Sequence, residues 1–512
     1  MISSRGLSLT ATLRQMAGGG KASPNRDEYE LLQQTYFEPF EASKINIFPG
    51  LGNHDYQNRV NDCGGAMSPI IHSNLSRNHC AHRMITFLRD RVRNLNLRYP
   101  EINFHYDDSD NFGDSSSYKN ISGSLAYSWD IGDNFHFVQL NNFPAYHFKT
   151  TFGFRVGVHS FDLDIHPSLD WLEADLARNR HKEVIINQHV MSSDCLAVDK
   201  FNKSTPGWIK FMGILDKYHS TVKAIFAGHI HQLVGHSIYS STQNIRRNRI
   251  ESCKYVTTPS GHKIPVFYSG SAEYNKYLRV DFSKHAIDVH SVDSVNGATK
   301  QYHEGSIFIE PVIAAKELGL ESTGFRDGKL VSLNIDEQKA YNQWGGRDVN
   351  YKVWPGNQPC CEINHGSPVK VNSNKSQHSR VVKPVAGWWL PENNKSRWLD
   401  SPAIGTTTFE TRFTVPEGLG IAMLKGRLSA DNSVVMWVNG IRIPHVEIAD
   451  FRTWTGFRLG ISDTKWEIGA CSKNKTPGKC GSPAFPLKPG MNIIKFEVHN
   501  FGGPGGLRVE FY

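Results

Sequence analysis

The chain is short of several features that would place it in a class at once. No apolar run approaches the ~18 residues that a membrane-spanning helix needs. Residues Met1 to Lys21 hold no apolar stretch of the kind that forms the middle of a secretory signal. No segment repeats and no heptad pattern is sustained, which argues against a solenoid or a coiled coil. Charge of one sign is in only mild excess: 57 Lys and Arg against 49 Asp and Glu give +8. The basic residues are scattered, so no nucleic-acid stripe is present. Cysteine is sparse, eight in 512 residues. Cys63 and Cys80 flank one polar segment and Cys471 and Cys480 another, loop-closing pairs that suit disulfides in an oxidising compartment. Free buried thiols are the alternative, and adjacent Cys360 and Cys361 do not readily pair with each other.

What is present is a 39% hydrophobic chain long enough for two or three domains. Residues 1–26 are rich in Ser, Gly and Ala and read as a poorly ordered segment. Helical spacing predicts helices over Asp27 to Ser43, Met84 to Leu97, Pro167 to Arg180 and Gly207 to Tyr218. Residues 56–82 are polar and read as a long loop, as do 105–123. Leu125 to Trp129 and Phe135 to Leu140 read as a strand pair. A meander of Tyr277 to Phe282 and Ala286 to Ser291 closes a first domain near residue 295, and 296–335 reads as a connector. From 336 to 512 tryptophan becomes frequent, and short alternating strands separated by turn signals such as Asn439-Gly440 and Pro489-Gly490 predict an all-β sandwich.

Three apolar strands end in polar residues. Ile45 to Pro49 leads into Gly52-Asn53-His54-Asp55, Glu183 to Ile186 into Asn187-Gln188-His189, and Val222 to Ala227 into Gly228-His229-Ile230-His231. Open α/β sheets place their sites at such carboxyl ends. Amide oxygen and imidazole nitrogen suit Zn, Mn or Fe. In that pattern Asn53, His189 and His229 ligate one cation and His231 reaches a second. His54, oriented by Asp55, protonates a leaving alkoxide.

Gly52-Asn53-His54-Asp55, His189 and Gly228-His229-Ile230-His231 together resemble the later motif blocks of the calcineurin-like metallophosphoesterases, over roughly residues 27–295. The resemblance implies an α/β (α+β sandwich) domain and two divalent cations. It implies hydrolysis of a phosphomonoester or phosphodiester by a metal-activated water. Two cations roughly 3.5–4 Å apart would activate that water and clamp the phosphate. The chain departs from the family pattern in lacking the earlier Asp-x-His and Gly-Asp blocks. Residues Arg5 to Thr10 sit where a Gly-Asp block would lie, but without a carboxylate. Two expectations follow. Met1 is an internal start, with ~60–100 residues upstream. Alternatively the scaffold has kept its fold as a non-catalytic binding protein holding one cation or none.

Residues 336–512 resemble a galactose-binding-like jelly roll, through Phe409 to Pro416, Ala430 to Gly440 and Pro489 to Asn500. That likeness implies docking on a glycan or lipid surface. With the paired cysteines it points to a secreted or extracytoplasmic protein whose signal is not visible in this chain.

Overall fold

The computed structural model describes residues 6–9, 33–52, 74–107, 110–114, 118–151, 160–191, 201–230, 233–238, 253–270, 275–295, 298–326, 329–330, 344–355, 377–382, 389–391, 393–401, 405–419, 422–444, 446, 450–461, 486–502 and 505–512. Two compact units divide it, Met1–Leu176 with Lys182–Ile309, and Ala177–His181 with Glu310–Tyr512.

The first unit is organised by a nine-stranded mixed sheet. Strands Phe135–Gln139, Glu183–Gln188, Val222–Ala227 and Lys263–Ser269 lie side by side in that order and run parallel. Tyr127–Ile131 and Phe104–Tyr106 extend one side in antiparallel fashion, and Leu233–Gly235 with Ser237–Ile238 the other. Every residue of Phe135–Gln139 and Glu183–Gln188 is buried, as strands covered on both faces require. Helix Ser168–Arg178 buries Leu169, Leu172 and Leu176, and helix Pro206–Lys217 buries Phe211, Ile214 and Leu215. The second helix starts where Thr205 Oγ1 accepts from the Trp208 N–H and Pro206 fills the first turn.

Strand Asn46–Pro49 pairs in parallel with Gly6–Leu9, residues expected to be a poorly ordered tail. An aromatic pile anchors it: Phe48 stacks on Trp129 at 4.3 Å and Trp129 on Phe137 at 5.4 Å. The Tyr127 hydroxyl donates to the Pro49 carbonyl, and the Ile47 N–H donates to Tyr99 Oη. The turn at 50–52 is thereby fixed relative to the central strands.

Several stretches differ from the sequence reading. Residues 74–82, expected in a loop, belong to helix Asn74–Arg93. Their polar run lacks apolar spacing, and it is the burial of Met84, Ile85, Leu88 and Val92 that holds the helix in place. Asn111–Asp114 and Tyr118–Ser122, also expected as loop, join Ser160–Asp164 and His147–Thr151 in a four-stranded sheet. Ala298–Phe308 adds a third strand to the Lys276–Phe282 and Ala286–Val295 meander.

These strands correct the expected fold class. Strand makes up 50% and helix 17% of the structure, so the protein is mostly β rather than an α/β (α+β sandwich) domain followed by a jelly roll. The α/β expectation came with the family resemblance, whereas helix and parallel strand alternate over residues 168–227.

The named strands of the second unit's large sheet pair antiparallel throughout, and a short helical turn lies at Ala315–Leu318. Its ten-stranded sheet runs 441–443, 433–438, 490–500, 405–415, 344–355, 377–382, 398–401, 505–511, 422–431, 455–461. Residues from both halves, including Val434, Phe496, Phe409, Leu428, Leu459 and Val509, share one core, so the sheet folds over on itself. Trp398 and Trp389 are buried against each other, and Trp389 Nε1 donates to Asp431 Oδ2 at 2.9 Å. No described helix is long and apolar enough to cross a membrane, which says nothing of β-barrels.

Candidate functional site

Of the expected site residues, Asn53, His54, Asp55 and His231 lie outside the described residues. His189 and His229 are described, and the structure brings them together. Each follows the carboxyl end of one of two adjacent parallel strands, Glu183–Gln188 and Val222–Ala227. His189 is 2% exposed. Its ring lies edge-on to that of His229, centroids 5.3 Å apart and planes at 80°.

The main chain fixes both. The His189 N–H donates to the Asn141 carbonyl at 2.6 Å, and the His189 carbonyl accepts from Gly228 N–H at 3.0 Å. The Ile230 N–H donates to the Gly228 carbonyl across His229, whose φ is +66°. That is a γ-turn of the rarer, strained hand. Strain of about 1–3 kcal/mol at a non-glycine residue persists only when the surroundings over-determine it, and it gathers at functional sites. Asn141 also has φ +62°. Its Oδ1 accepts from Leu51 N–H and its Nδ2 donates to the carbonyl of Leu125, itself at φ +50°.

Gly52, the first residue of the Gly-Asn-His-Asp tetrapeptide, faces His189. A Cβ at Gly52 would stand 3.0–3.1 Å from the imidazole, so glycine is what lets this turn close over the ring. The two motifs thus meet at Gly52 and His189.

The same edge holds buried amides. Among the described residues, Gln139 and Asn142 have no side-chain hydrogen-bond partner at either terminal atom and Gln188 Oε1 has none, although all three side chains are buried. An orphaned buried polar group costs about 1–3 kcal/mol, so such a group asks for an explanation. These residues were missed in the sequence. The available signal was Gln139-Leu140-Asn141-Asn142 at the end of an apolar strand, the same signature as Asn187-Gln188-His189.

The two described imidazoles are spaced as ligands of one shared cation would be. With Zn–N about 2.0–2.1 Å, two imidazoles on one tetrahedral ion hold their centroids roughly 5 Å apart. The observed spacing is close to that, and the donor set of imidazole and amide is neutral. Among the described residues no group of three or more His, Cys, Asp or Glu is placed to hold a metal.

A narrow pocket adjoins the edge, lined by Leu51, Leu125 and Asn141 among others. Burial pushes Asp110 in its wall up to about 6, with the N–H of Leu125 and the guanidinium of Arg93 pulling the other way. At the opposite end of the sheet, His136 is fully buried between two carboxylates. Its Nδ1 stands 2.8 Å from Asp130 Oδ1 and its Nε2 2.7 Å from Asp175 Oδ2. Lys182 Nζ is 2.6 Å from Asp130. Burial works against the charged imidazole, but the charges and hydrogen bonds of Asp175 and Asp130 raise His136 above its ordinary value. Burial also works against ionised Asp130, but His136 and Lys182 hold it well below. Elsewhere Cys253 is disulfide-bonded, and the side chains of the other seven cysteines, with the expected pairs, lie outside the described residues.

No family model matches the chain, and no curated protein matches it. Solved structures match over part of the chain. One is the enzymatically active domain of tailspike protein 4 of bacteriophage CBA120, 13% identical over 32% of this chain and 19% of that chain, TM-score 0.16. Another is CBM35 from Paenibacillus barcinonensis, 11% identical over 25% of this chain and 87% of that chain, TM-score 0.15. A third is a β-glucosidase from Kluyveromyces marxianus, 10% identical over 39% of this chain and 19% of that chain, TM-score 0.16. This chain spans about a fifth of the tailspike and glucosidase chains.

These findings overturn the calcineurin-like metallophosphoesterase assignment. No metallophosphoesterase is among the matches, no family model supports one, and the chain is mostly β. The expected phosphoester hydrolysis, the enzyme class and the description as a phosphatase fall with it. The physical reason is that strand-end histidines and glycines are a local pattern. They place imidazoles at a sheet edge without specifying the reaction done there.

Proposed function

We propose that the first unit binds a divalent cation at the carboxyl edge of its parallel strands, through the imidazoles of His189 and His229. The observation that carries this reading is their mutual placement, two rings from neighbouring strand ends at 5.3 Å and 80°. The strained γ-turn at His229 and the orphaned amides of Gln139 and Asn142 support it. Asn53 and His231 are the sequence candidates for further ligands. Such a cation supplies Lewis-acid polarisation of an oxygen. The protein's own contribution is to fix the two rings and exclude water around them.

The test is metal content of purified full chain together with calorimetric titration of Zn²⁺ and Mn²⁺. We expect one tight site per chain, weakened at least ~100-fold by His229→Ala or His189→Ala. Unchanged binding in both variants would remove these residues from the site.

A second reading concerns the β unit, which we infer docks on a glycan surface. One observation favours it. Phe501 is 77% exposed, yet its N–H is held by Asn432 Oδ1 at 2.8 Å and the next N–H by Asn500 Oδ1 at 2.9 Å. An aromatic ring offered to solvent on a pinned turn is suited to stacking on the apolar face of a sugar. Phe501→Ala is expected to leave the melting temperature unchanged and to abolish retention on immobilised glycans. Equal retention would assign the ring no such role. The disulfide at Cys253 suits a protein working in an oxidising compartment.

A further inference from the structure

Asn141 joins three separate segments of the first unit at the carboxyl edge, and neither reading above gives it a role. Its Oδ1 accepts from Leu51 N–H at 3.1 Å, its Nδ2 donates to the Leu125 carbonyl at 2.6 Å, and its own carbonyl accepts from His189 N–H at 2.6 Å. The residue is 3% exposed. These bonds fix which way round the amide sits, since a flip would set oxygen against carbonyl and N–H against N–H.

The backbone narrows the choice of residue further. At φ +62° residue 141 stands in the left-handed region, where asparagine is among the few non-glycine residues at ease. Aspartate shares that ease but has no N–H for Leu125, and glycine has no side chain for either bond. A file of hydrogen bonds then crosses the edge: Leu51 to Asn141, Asn141 to His189, His189 to Gly228. The last two steps run from main chain to main chain and are indifferent to residue type. The first is made by the asparagine side chain, so it is the step that a substitution controls. It bears on His189 because Leu51 precedes Gly52, where a Cβ would stand 3.0–3.1 Å from the imidazole. Held at Leu51, the turn lies closed on the ring, and the ring is buried.

We propose that Asn141 is a positioning residue for the cation site: its side chain clamps the Leu51–Gly52 turn over His189, fixing the ring and keeping water from it. The consequence for affinity rests on the cation reading, whereas the clamp itself requires no cation. Hydrogen-bonded partners that orient a ligating histidine are worth about 10–100-fold in metal affinity.

The experiment is carbethoxylation of the full chain by diethyl pyrocarbonate, followed histidine by histidine with mass spectrometry. His189 reports the clamp, and buried His136 at the amino end of strand Phe135–Gln139 reports any loosening of the whole unit. Asn141→Gly keeps the left-handed backbone and the carbonyl to His189 and removes both side-chain bonds. It is expected to label at His189 about tenfold faster than the native chain, with His136 unchanged. The backbone at Gly52 lies outside the left-handed region, so Gly52→Ala adds a methyl against the ring without backbone strain. Alone it is expected to raise the His189 rate several-fold. The double variant should label no faster than Asn141→Gly, because a released turn gives way to the added methyl. The proposal is overturned if His189 in Asn141→Gly labels at the native rate, if His136 rises with it, or if the two effects multiply in the double variant. Where Asn141→Gly fails to fold, Gly52→Ala decides, and an unchanged His189 rate there would show that no clamp holds the turn on the ring. Calorimetric titration of Asn141→Gly with Zn²⁺ is expected to show binding about tenfold weaker. A native chain that binds no Zn²⁺ would end the cation reading, and the labelling would still decide on the clamp.

Discussion

Strand Phe135–Gln139 carries two buried polar side chains at its opposite ends, and they are treated in opposite ways. His136 near the amino end is bonded at both ring nitrogens to carboxylates. Gln139 at the carboxyl end has no hydrogen-bond partner at either amide atom among the described residues. Both side chains are fully buried in the same strand, and the supply of partners differs. Folding alone demands the first arrangement, because an uncompensated buried charge is expensive. It gives no reason for the second, since a leucine at 139 would fill similar space without an orphaned amide. His136 is thus held by the fold itself, whereas the amide of Gln139, on the same edge as His189 and His229, has no such structural explanation.

The sharpest way to break this contrast is to remove a partner from the saturated end. Asp175→Ala leaves buried His136 with one carboxylate and also strips Ser128 Oγ of its acceptor. A loss of about 3–5 kcal/mol is expected, the range for breaking a buried ion pair from one side. Chemical denaturation measures it, and cation binding by folded protein should be unchanged. A loss below about 1 kcal/mol would mean that His136 is not charged in the folded protein.

The saturated end should also carry a pH signature that the amide edge cannot. His136 is raised above its ordinary ~6.5. The stability it adds is complete below that pH and is lost as pH rises through its folded value. Asp130 is held below its ordinary ~3.9. Its contribution is complete above that pH and is lost as pH falls through its folded value. Together they give a plateau between ~4 and ~6.5 with an alkaline limb above it. Melting temperatures from pH 4 to 9 should show that limb in the native chain and a flatter one in Asp175→Asn. An identical limb in both would place its origin elsewhere.

Strong local signals explain how much of this was legible. The runs Val184-Ile185-Ile186 and Ala224-Ile225-Phe226 are apolar and bounded, so their strands and the positions of His189 and His229 could be read directly. Helix Pro206–Lys217, expected over Gly207 to Tyr218, was readable from its apolar spacing. The fold class was misread because Asn111–Asp114, Tyr118–Ser122 and Ala298–Phe308 are polar, half-exposed strands whose pairing is tertiary, which no window of sequence contains. Asn141 and Asn142 were missed for another reason. Their roles depend on a left-handed turn and on Leu51 and His189 arriving from distant segments. The reaction was misassigned because a motif fixes which atoms meet and says nothing about what they meet for.

The smallest effect makes the finest test. Gln139→Leu keeps side-chain volume and removes two orphaned polar atoms from the carboxyl edge. If folding were the only requirement there, the change should raise stability by about 1 kcal/mol, because an apolar isostere no longer carries the desolvation cost of the amide. If the amide is held for a bound cation or its waters, the same variant should bind Zn²⁺ or Mn²⁺ more weakly, by about 10-fold. Both outcomes together, a more stable protein that binds less, are what the contrast with His136 requires. Lower stability would show that Gln139 has a structural partner after all. Higher stability with unchanged binding would leave the orphaned amides without a role in the site and would rest the cation reading on the two histidines alone.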